Sequence, residues 1–374
     1  MIGKKGGKRM GNGLLPLYSY KEHDISDKYL SVTNIGLWYN KFFNQWKRVG
    51  EEWKVKENGK LAWLKSVQGV EIGSEEQLQE NIERYIKLIR TLDGELLYFK
   101  NTSSFVIGIG NAHPIENGFT WHYNLGLPYL PSSSIKGMVR AWAKNWDTSN
   151  DNKELIYGLL GAEKSQDPKT GDIIFFDALP VKPVKLEADI MTVHYNDYYS
   201  QGSAPGDWEN PIPIPFLTVS PHQQFILGIV PRNKKNKDSL SVITKWLSDA
   251  FNVLGIGAKT AVGYGLFEKI SPDSLPHEVG SYIEKLNQEI YRKDMTPLQI
   301  EMEEDGYSDS NHQIFMGTLN NKWLNRMETN EEEAQEIAQL LADWYLKRLP
   351  EQWEKPINPK NKDKVRRIKK ALLN

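Results

Sequence analysis

Gly255-Ile-Gly-Ala-Lys-Thr-Ala-Val-Gly-Tyr-Gly265 places four glycines, one lysine and one threonine in eleven residues. A helical stripe precedes it (Leu240, Ile243, Leu247, Ala250, Phe251, Leu254) and the strand-like Leu266-Phe267 follows. Glycine permits positive φ and lets a second backbone approach closely. Successive N–H groups in such a loop form a concavity suited to phosphate oxygens, and Lys259 adds a point charge. The stretch is not an ATP-binding P-loop, because Lys259-Thr260 do not follow a glycine and the loop leaves a helix instead of opening one. The dinucleotide fingerprint also fails, since it requires strand, turn, helix in that order. A hairpin or helix end with no ligand is the plain alternative.

Working outward, the periodicity predicts a strand at Ser103–Ile109 and a helix at Ser133–Trp146 with Ile135, Met138, Val139 and Trp142 on one side. Short strands follow at Asp172–Phe176 and Gln223–Val230, then the helix ending near Leu254, and a strand within Ala261–Ile270. The order β-α-β-β-α-β defines an α+β fold of the RRM-like, ferredoxin-like plan. A Pro-rich stretch at about 179–215 is too long for an ordinary connection and reads as a projecting hairpin. Three regions are expected: a mixed, helical N-terminal region (1–93), the core (94–274), and a helical C-terminal region with a basic tail (275–374). Ser74 should cap a helix whose apolar face is Leu78, Ile82, Tyr85, Ile86 and Ile89. Glu331–Leu349 is a further helix that ends at Pro350.

The 374 residues carry a formal net charge of −1, so any polyanion binding must come from local patches. There is no cysteine, which excludes disulfides, thiolate zinc sites and a thiol nucleophile, and fits a cytoplasmic location. No secretory leader or apolar run long enough to span a membrane is visible. No His or carboxylate spacing of metal-ligand type occurs, so neither metal nor cofactor is expected.

The second motif is Leu127-Pro-Tyr-Leu-Pro-Ser-Ser-Ser-Ile-Lys-Gly-Met-Val-Arg140. One of Ser132, Ser133 and Ser134 should cap the helix. Hydroxyls, open N–H groups and the positive end of the dipole make an anion site there, with Lys136 and Arg140 four residues apart on one face. The plain alternative is a capped helix with two solvated bases.

Together the two motifs resemble the RAMP superfamily of CRISPR–Cas proteins, most of all the sixth RAMP subunit of the type III-B (Cmr) effector complex. Gly108-Ile-Gly-Asn-Ala-His-Pro-Ile-Glu-Asn-Gly118 and Gly171-Asp-Ile-Ile-Phe-Phe-Asp-Ala178 resemble that family's first-strand loop and second-strand motif. The resemblance spans roughly residues 95–270. It implies an RRM-like fold and a non-catalytic, RNA-binding subunit of an antiviral complex. That subunit would grip the 3′ part of the guide RNA at the end of a filament of related subunits. Guide RNA, target RNA and other RAMP subunits are the implied partners; neither DNA nor membrane is. The RNA-contact candidates it implies are Ser132, Ser133, Ser134, Lys136 and Arg140 on the helix start. On the loop they are Gly255, Gly257, Lys259, Thr260, Gly263, Tyr264 and Gly265. The superfamily often has glycine where this chain has Ser132, which puts the closest backbone approach there in question.

His113, in Ala-His-Pro, is a further RNA-contact candidate, because related guide-processing nucleases carry a general acid or base near that place. Metal-independent cleavage of guide RNA is therefore the alternative reading, and a protein-only scaffold is another. General acid–base cleavage also needs a partner for the 2′-OH, and the nearest histidine in sequence is His122. Asp177 reads as a cap for loop or helix amides. Lys355 to Lys370 holds eight Lys/Arg against one Asp, on a helix whose partial apolar stripe is Val365, Ile368 and Leu372. This basic run is either a solvated face or an RNA contact.

Overall fold

The computed structural model describes residues 34–146, 153–162, 170–195, 211–233, 236–293 and 295–373, with Tyr198, Gln201, Gly202 and Ala204 between. The stretch Met1–Gly13, which carries Lys4, Lys5, Lys8 and Arg9, lies outside them. Contacts divide the chain into one unit ending at Ile283 and another from Glu284. No described helix is long and apolar enough to cross a membrane.

The first unit opens with α1 (Ile35–Lys41), hairpin strands β1 (Trp46–Val49) and β2 (Glu52–Val55), α2 (Gly59–Lys65) and β3 (Glu71–Ile72). Then come α3 (Glu75–Thr91), β4 (Glu95–Asn101), α4 (Ser132–Asn145) and α5 (Lys153–Leu160). The remaining elements are β5 (Ile173–Phe175), β6 (Leu179–Pro180), β7 (Val184–Val193), β8 (Ile212–Val219), β9 (Gln224–Pro231), α6 (Ser239–Val253) and β10 (Phe267–Lys269). The main sheet runs β10-β4-β9-β5, antiparallel throughout, with β6 also on β9. The α+β class stands.

Side-chain alternation assigns the two faces of the sheet. Phe99 on β4 is paired with Phe225 on β9, and Phe99 packs 4.6 Å from Phe251 of α6 between ring centroids. Phe267 joins the same cluster at 5.1 Å from Phe251. On the opposite face, α3 lays Leu78, Ile82, Ile86 and Ile89 over β4 and β9. Gly228 makes room there: a Cβ would stand 2.5 Å from the Ile89 side chain. The Tyr85 hydroxyl accepts from the Gly228 amide at 2.7 Å and donates to the Asp177 carbonyl at 2.9 Å. Ser74 caps α3 as the sequence predicts, accepting from the Gln77 amide.

The first strand differs from expectation. It is Glu95–Asn101, not Ser103–Ile109. The true strand is buried along nearly its whole length, between α3 and α6, so it shows no alternation for a sequence to display. Ser103–Ile109 is pinned by one bridge, Phe105 to Val219, and Gly108 at φ +80 turns it out of the sheet. The final strand is only Phe267–Lys269, since Thr260–Val262 form a 3-10 turn. The projecting hairpin is present as β7 and β8, paired from Leu186↔Val219 to Val193↔Ile212, with β3 along β7. On β8, the outer strand of that sheet, bridged to Phe105 at Val219, Pro213 and Pro215 lie opposite Thr192 and Ile190.

The described part of the N-terminal region packs within the same compact unit as the core. Its aromatic cluster is the reason. Trp38 stacks on Trp63 at 4.2 Å, and Tyr39 lies 5.4 Å from Trp121 and 4.9 Å from His113.

The second unit is helical: the end of α7 (His277–Lys293), α8 (Pro297–Glu304), α9 (His312–Thr318), α10 (Leu324–Thr329), α11 (Ala334–Arg348), α12 (Pro350–Glu354) and α13 (Pro359–Ala371). One π turn, Leu319–Trp323, drives Trp323 fully inside with Phe315, Leu341, Tyr345 and Ile368. Asp305 accepts from the Trp323 indole at 2.9 Å and from Lys322 at 2.7 Å. Arg326 bridges Glu301 and Glu333, both at 2.6 Å.

Phe251→Ala should destabilise the chain by about 3–5 kcal/mol, because a fully buried aromatic packed on Phe99 and Phe267 of two strands leaves a cavity. Chemical denaturation measures it, and a loss under about 1 kcal/mol would contradict this core.

Candidate nucleic-acid interface

The glycine loop is held against the chain that leaves β4. Gly255 ends α6 in the left-handed region at φ +70, its amide donating to the Ala250 carbonyl. The Ile256 amide donates to Gly265, the Ala258 amide to Val106 and the Gly265 amide to Ser104, at 2.8, 2.8 and 2.9 Å. Glycine is required by contact at two positions. A Cβ on Gly257 would lie 2.3 Å from the Val106 carbonyl oxygen, and one on Gly265 would lie 2.1 Å from that of Ile256. Gly263, at φ +92, turns the exposed tip with open space around it. The glycines therefore build the loop first, and most of its amides are committed internally.

A groove of about 600 Å³ remains between this loop, α4 and the segment after β4. Gly257 and Thr260 form one wall, Gly108, Ile109 and Gly110 a second, and Ser134, Met138 and Ala141 of α4 the third. The amides of Gly108, Ile109, Gly110, Gly257 and Thr260 have no acceptor among the described residues. Two glycine-rich walls with open N–H groups, facing a serine, make a surface for anionic oxygens. Sequence reasoning assigned Gly108 and Gly110 no contact role, although Gly-Ile-Gly occurs at both 108–110 and 255–257.

The helix start behaves differently from expectation. Pro131 occupies the N-cap position without a side-chain cap bond, so none of the three serines caps the helix. Asp177 supplies the anion instead: its Oδ1 accepts from the Ser132 amide at 2.7 Å. A carboxylate there satisfies the dipole and takes the seat a phosphate would use. Ser133 is exposed and only Ser134 reaches the groove. At 3.6 residues per turn, Lys136 and Arg140 lie far around the helix from Ser134, Met138 and Ala141. Arg140 is occupied, donating to the carbonyls of Gly161 at 2.9 Å and Leu160 at 2.5 Å, which closes the C-terminus of α5. Lys136 is half-buried beside Arg140 and Arg232; burial first, and those two cations next, push its ammonium below the ordinary lysine value. The structure thus divides the predicted set between two flanks of α4.

Lys259 sits in the left-handed region at φ +64, with its ammonium 5.4 Å above the centre of the Phe216 ring of β8. Tyr264 is not a free stacking platform. Its hydroxyl donates to Asp189 of β7, its ring lies 6.0 Å from Phe216, and burial, then the Asp189 carboxylate, push its pKa up to about 12. Tyr264 and Lys259 therefore fasten the loop to the hairpin.

His113 is a clasp. Its Nδ1 accepts from the Ile115 amide at 3.3 Å, which leaves the proton on Nε2 to donate to the Tyr39 carbonyl at 3.0 Å. Both ring nitrogens are occupied and the ring is stacked on Tyr39, away from the groove walls named above. Burial pushes its pKa below 6.5, against the partly compensating Tyr39 bond. His122 likewise accepts from the Leu125 amide at Nδ1. No group of three His, Cys, Asp or Glu placed to hold a metal occurs among the described residues.

A family model described as RAMP superfamily matches residues 98–268, the span that carries the groove. The CRISPR system Cmr subunit Cmr6 of Pyrococcus furiosus is 30% identical, aligned over 48% of this chain and 69% of that protein. The chain belongs to the Cmr6 family of the RAMP superfamily. Cmr6 of Saccharolobus solfataricus is 27% identical over 52% of this chain and 64% of its own, so the chain spans about two thirds of both relatives. Among solved structures, Cmr6 from Pyrococcus furiosus shares 28% identity over 48% of this chain and 98% of that one, with a TM-score of 0.30. A chain of the type III-B Cmr-beta assembly bound to cognate target RNA shares 22% identity over 57% and 71%, with a TM-score of 0.47.

Two measurements check the assignments made here. With its folded pKa lowered, neutral His113 contributes stability that is full above about pH 6.5 and is lost as the pH falls below it. Melting temperature should drop between pH 7.5 and about 5.5. His113→Phe should flatten part of that drop, with His122, also pushed down by burial, accounting for a remainder. An identical slope in the variant would remove His113 from the account. Separately, Tyr264→Phe should speed amide exchange over residues 186–190 severalfold without changing exchange in α3; equal rates would show that the Asp189 bond holds nothing.

Proposed function

We propose that this chain is a non-catalytic, RNA-binding subunit of a type III-B CRISPR effector complex, and that the groove beside the glycine loop grips the backbone of the guide RNA. The observation that carries the reading is the set of open amides on the two walls, Gly108, Ile109 and Gly110 on one and Gly257 and Thr260 on the other, faced by Ser134, with Lys259 next to Thr260 in the same loop. Main-chain N–H groups, hydroxyls and a single ammonium contact phosphate and sugar without reading bases. A guide has a variable sequence and a constant backbone, so that chemistry is what its holder needs. Membership of the Cmr6 family supports the complex, and the 3′ part of the guide, at the end of the subunit filament, is the segment assigned to this groove. Other RAMP subunits and target RNA are the accompanying partners.

The non-catalytic reading is supported by His113 and His122, whose Nδ1 atoms both accept main-chain amides, so neither is poised over a ribose 2′-OH. The sheet face opposite α4 and α6, where an RRM-like fold often stacks bases, is covered by α3. That supports the loop side as the place where RNA is held.

The test is anisotropy of labelled single-stranded RNA with the purified chain. Lys259→Asn keeps the left-handed backbone, which asparagine tolerates. It should weaken binding severalfold and make the slope of log K against log salt shallower by about 0.7, one phosphate's share. Two RNAs of unrelated sequence should bind within about threefold of each other and stay intact. Equal affinity and slope in the variant would refute the groove assignment; RNA shortened by the wild-type chain would refute the non-catalytic reading.

A further inference from the structure

We propose that the outward face of α13 is a second RNA-backbone contact, separate from the groove and carried by the C-terminal unit; it rests on the reading that the chain serves an RNA complex. The matched family span ends at residue 268, so this unit lies outside it.

The argument begins with what α13 does inside its own unit. Val365 and Ile368 are buried in the core around Trp323 and Tyr345. Arg367 folds back onto Glu328, a two-pronged pair at 2.6 and 2.7 Å. Lys369 donates to the Trp353 carbonyl at 3.0 Å with its ammonium 4.9 Å above that ring, and Arg366 pairs with Asp363 at 2.7 Å. These contacts use the apolar stripe and two of the cations, Arg367 and Lys369, to dock the helix, while Arg366 is paired within it.

Lys360, Lys362 and Lys370 remain, all exposed and in no ion pair within 4 Å among the described residues, with Lys370 close enough to Glu328 to help hold that carboxyl low. Lys364 is half-buried beside Lys360, and burial and that like charge lower its pKa. The unit has no shortage of carboxylates. Glu301, Asp305 and Glu333 are gathered on Lys322 and Arg326 instead. Leaving four ammonium groups without an ion pair on one short helix is electrostatically unfavourable, and a polyanion relieves it.

The kind of polyanion follows from the chemistry offered. The apolar stripe of α13 is covered, and the exposed apolar side chains nearby, Ile357 and Leu373, lie beyond its two ends, so between them the cationic face offers a protein partner charge without a hydrophobic centre. Lysines are point charges without the bidentate fork that fixes a carboxylate, which suits phosphates taken in any register. A single-stranded RNA backbone fits this set.

The experiment uses the full chain with Lys360→Gln, Lys362→Gln and Lys370→Gln combined. All three side chains are exposed, so the fold persists, and unchanged circular dichroism verifies that. If each lysine neutralises one phosphate, the salt slope for single-stranded RNA should become shallower by about 2, with affinity down at least severalfold at moderate salt. RNA photocrosslinks should map to residues 353–370 in the wild type and weaken in the variant. An unchanged slope with no such crosslink would overturn the proposal. So would polyglutamate binding that depends on the three lysines while RNA binding does not, since the face would then serve an acidic polypeptide. Lys259→Asn run in parallel keeps the two readings apart: loss there with none here leaves the groove and removes the tail, and the reverse removes the groove alone.

Discussion

Everything near the groove depends on two backbones that nearly touch. The Gly257 and Gly265 positions leave no room for even one carbon beyond Cα, and three amide bonds across that contact hold the loop to residues 104–106 and close its own base. With those amides committed, the ones left without an acceptor, at Gly257 and Thr260, belong to residues that line the groove, as do those of Gly108–Gly110. The same loop then reaches the hairpin through Tyr264 and Lys259, so groove wall and hairpin share one support.

Asp177 organises the other side. Its carboxylate holds the start of α4, and its carbonyl takes the Tyr85 hydroxyl that also bonds Gly228 in the sheet. A helix on one face of the sheet is thereby tied to a helix on the other through a single residue. The carboxylate also explains why the three serines do not form the anion pocket that their position suggests. With the dipole already satisfied, binding capacity moves along the helix to Ser134 and across to the loops.

Much of this was legible in the residues. The strands at 173–175 and 224–231, both core helices and the Ser74 cap follow from periodicity and capping chemistry. Asp177 as an amide cap was also legible. The first strand was not, because burial on both faces erases the alternation that marks a strand. Site residues were harder for a different reason. Sequence shows which groups exist but not which are already engaged: Arg140 spends its guanidinium on carbonyls twenty residues away, and His113 spends both nitrogens on main chain. The division of α4 into two flanks was available from helical spacing alone, since residues 134 and 136 point to different sides.

The prolines of β8 carry one more consequence. An uncovered strand edge invites a neighbouring chain to extend the ladder, and Pro213 and Pro215 withhold two of the N–H donors such an extension needs. That edge of the hairpin is therefore a poor template for another strand. The β8 side of the arm is met by side chains and carbonyls and not by a full main-chain ladder.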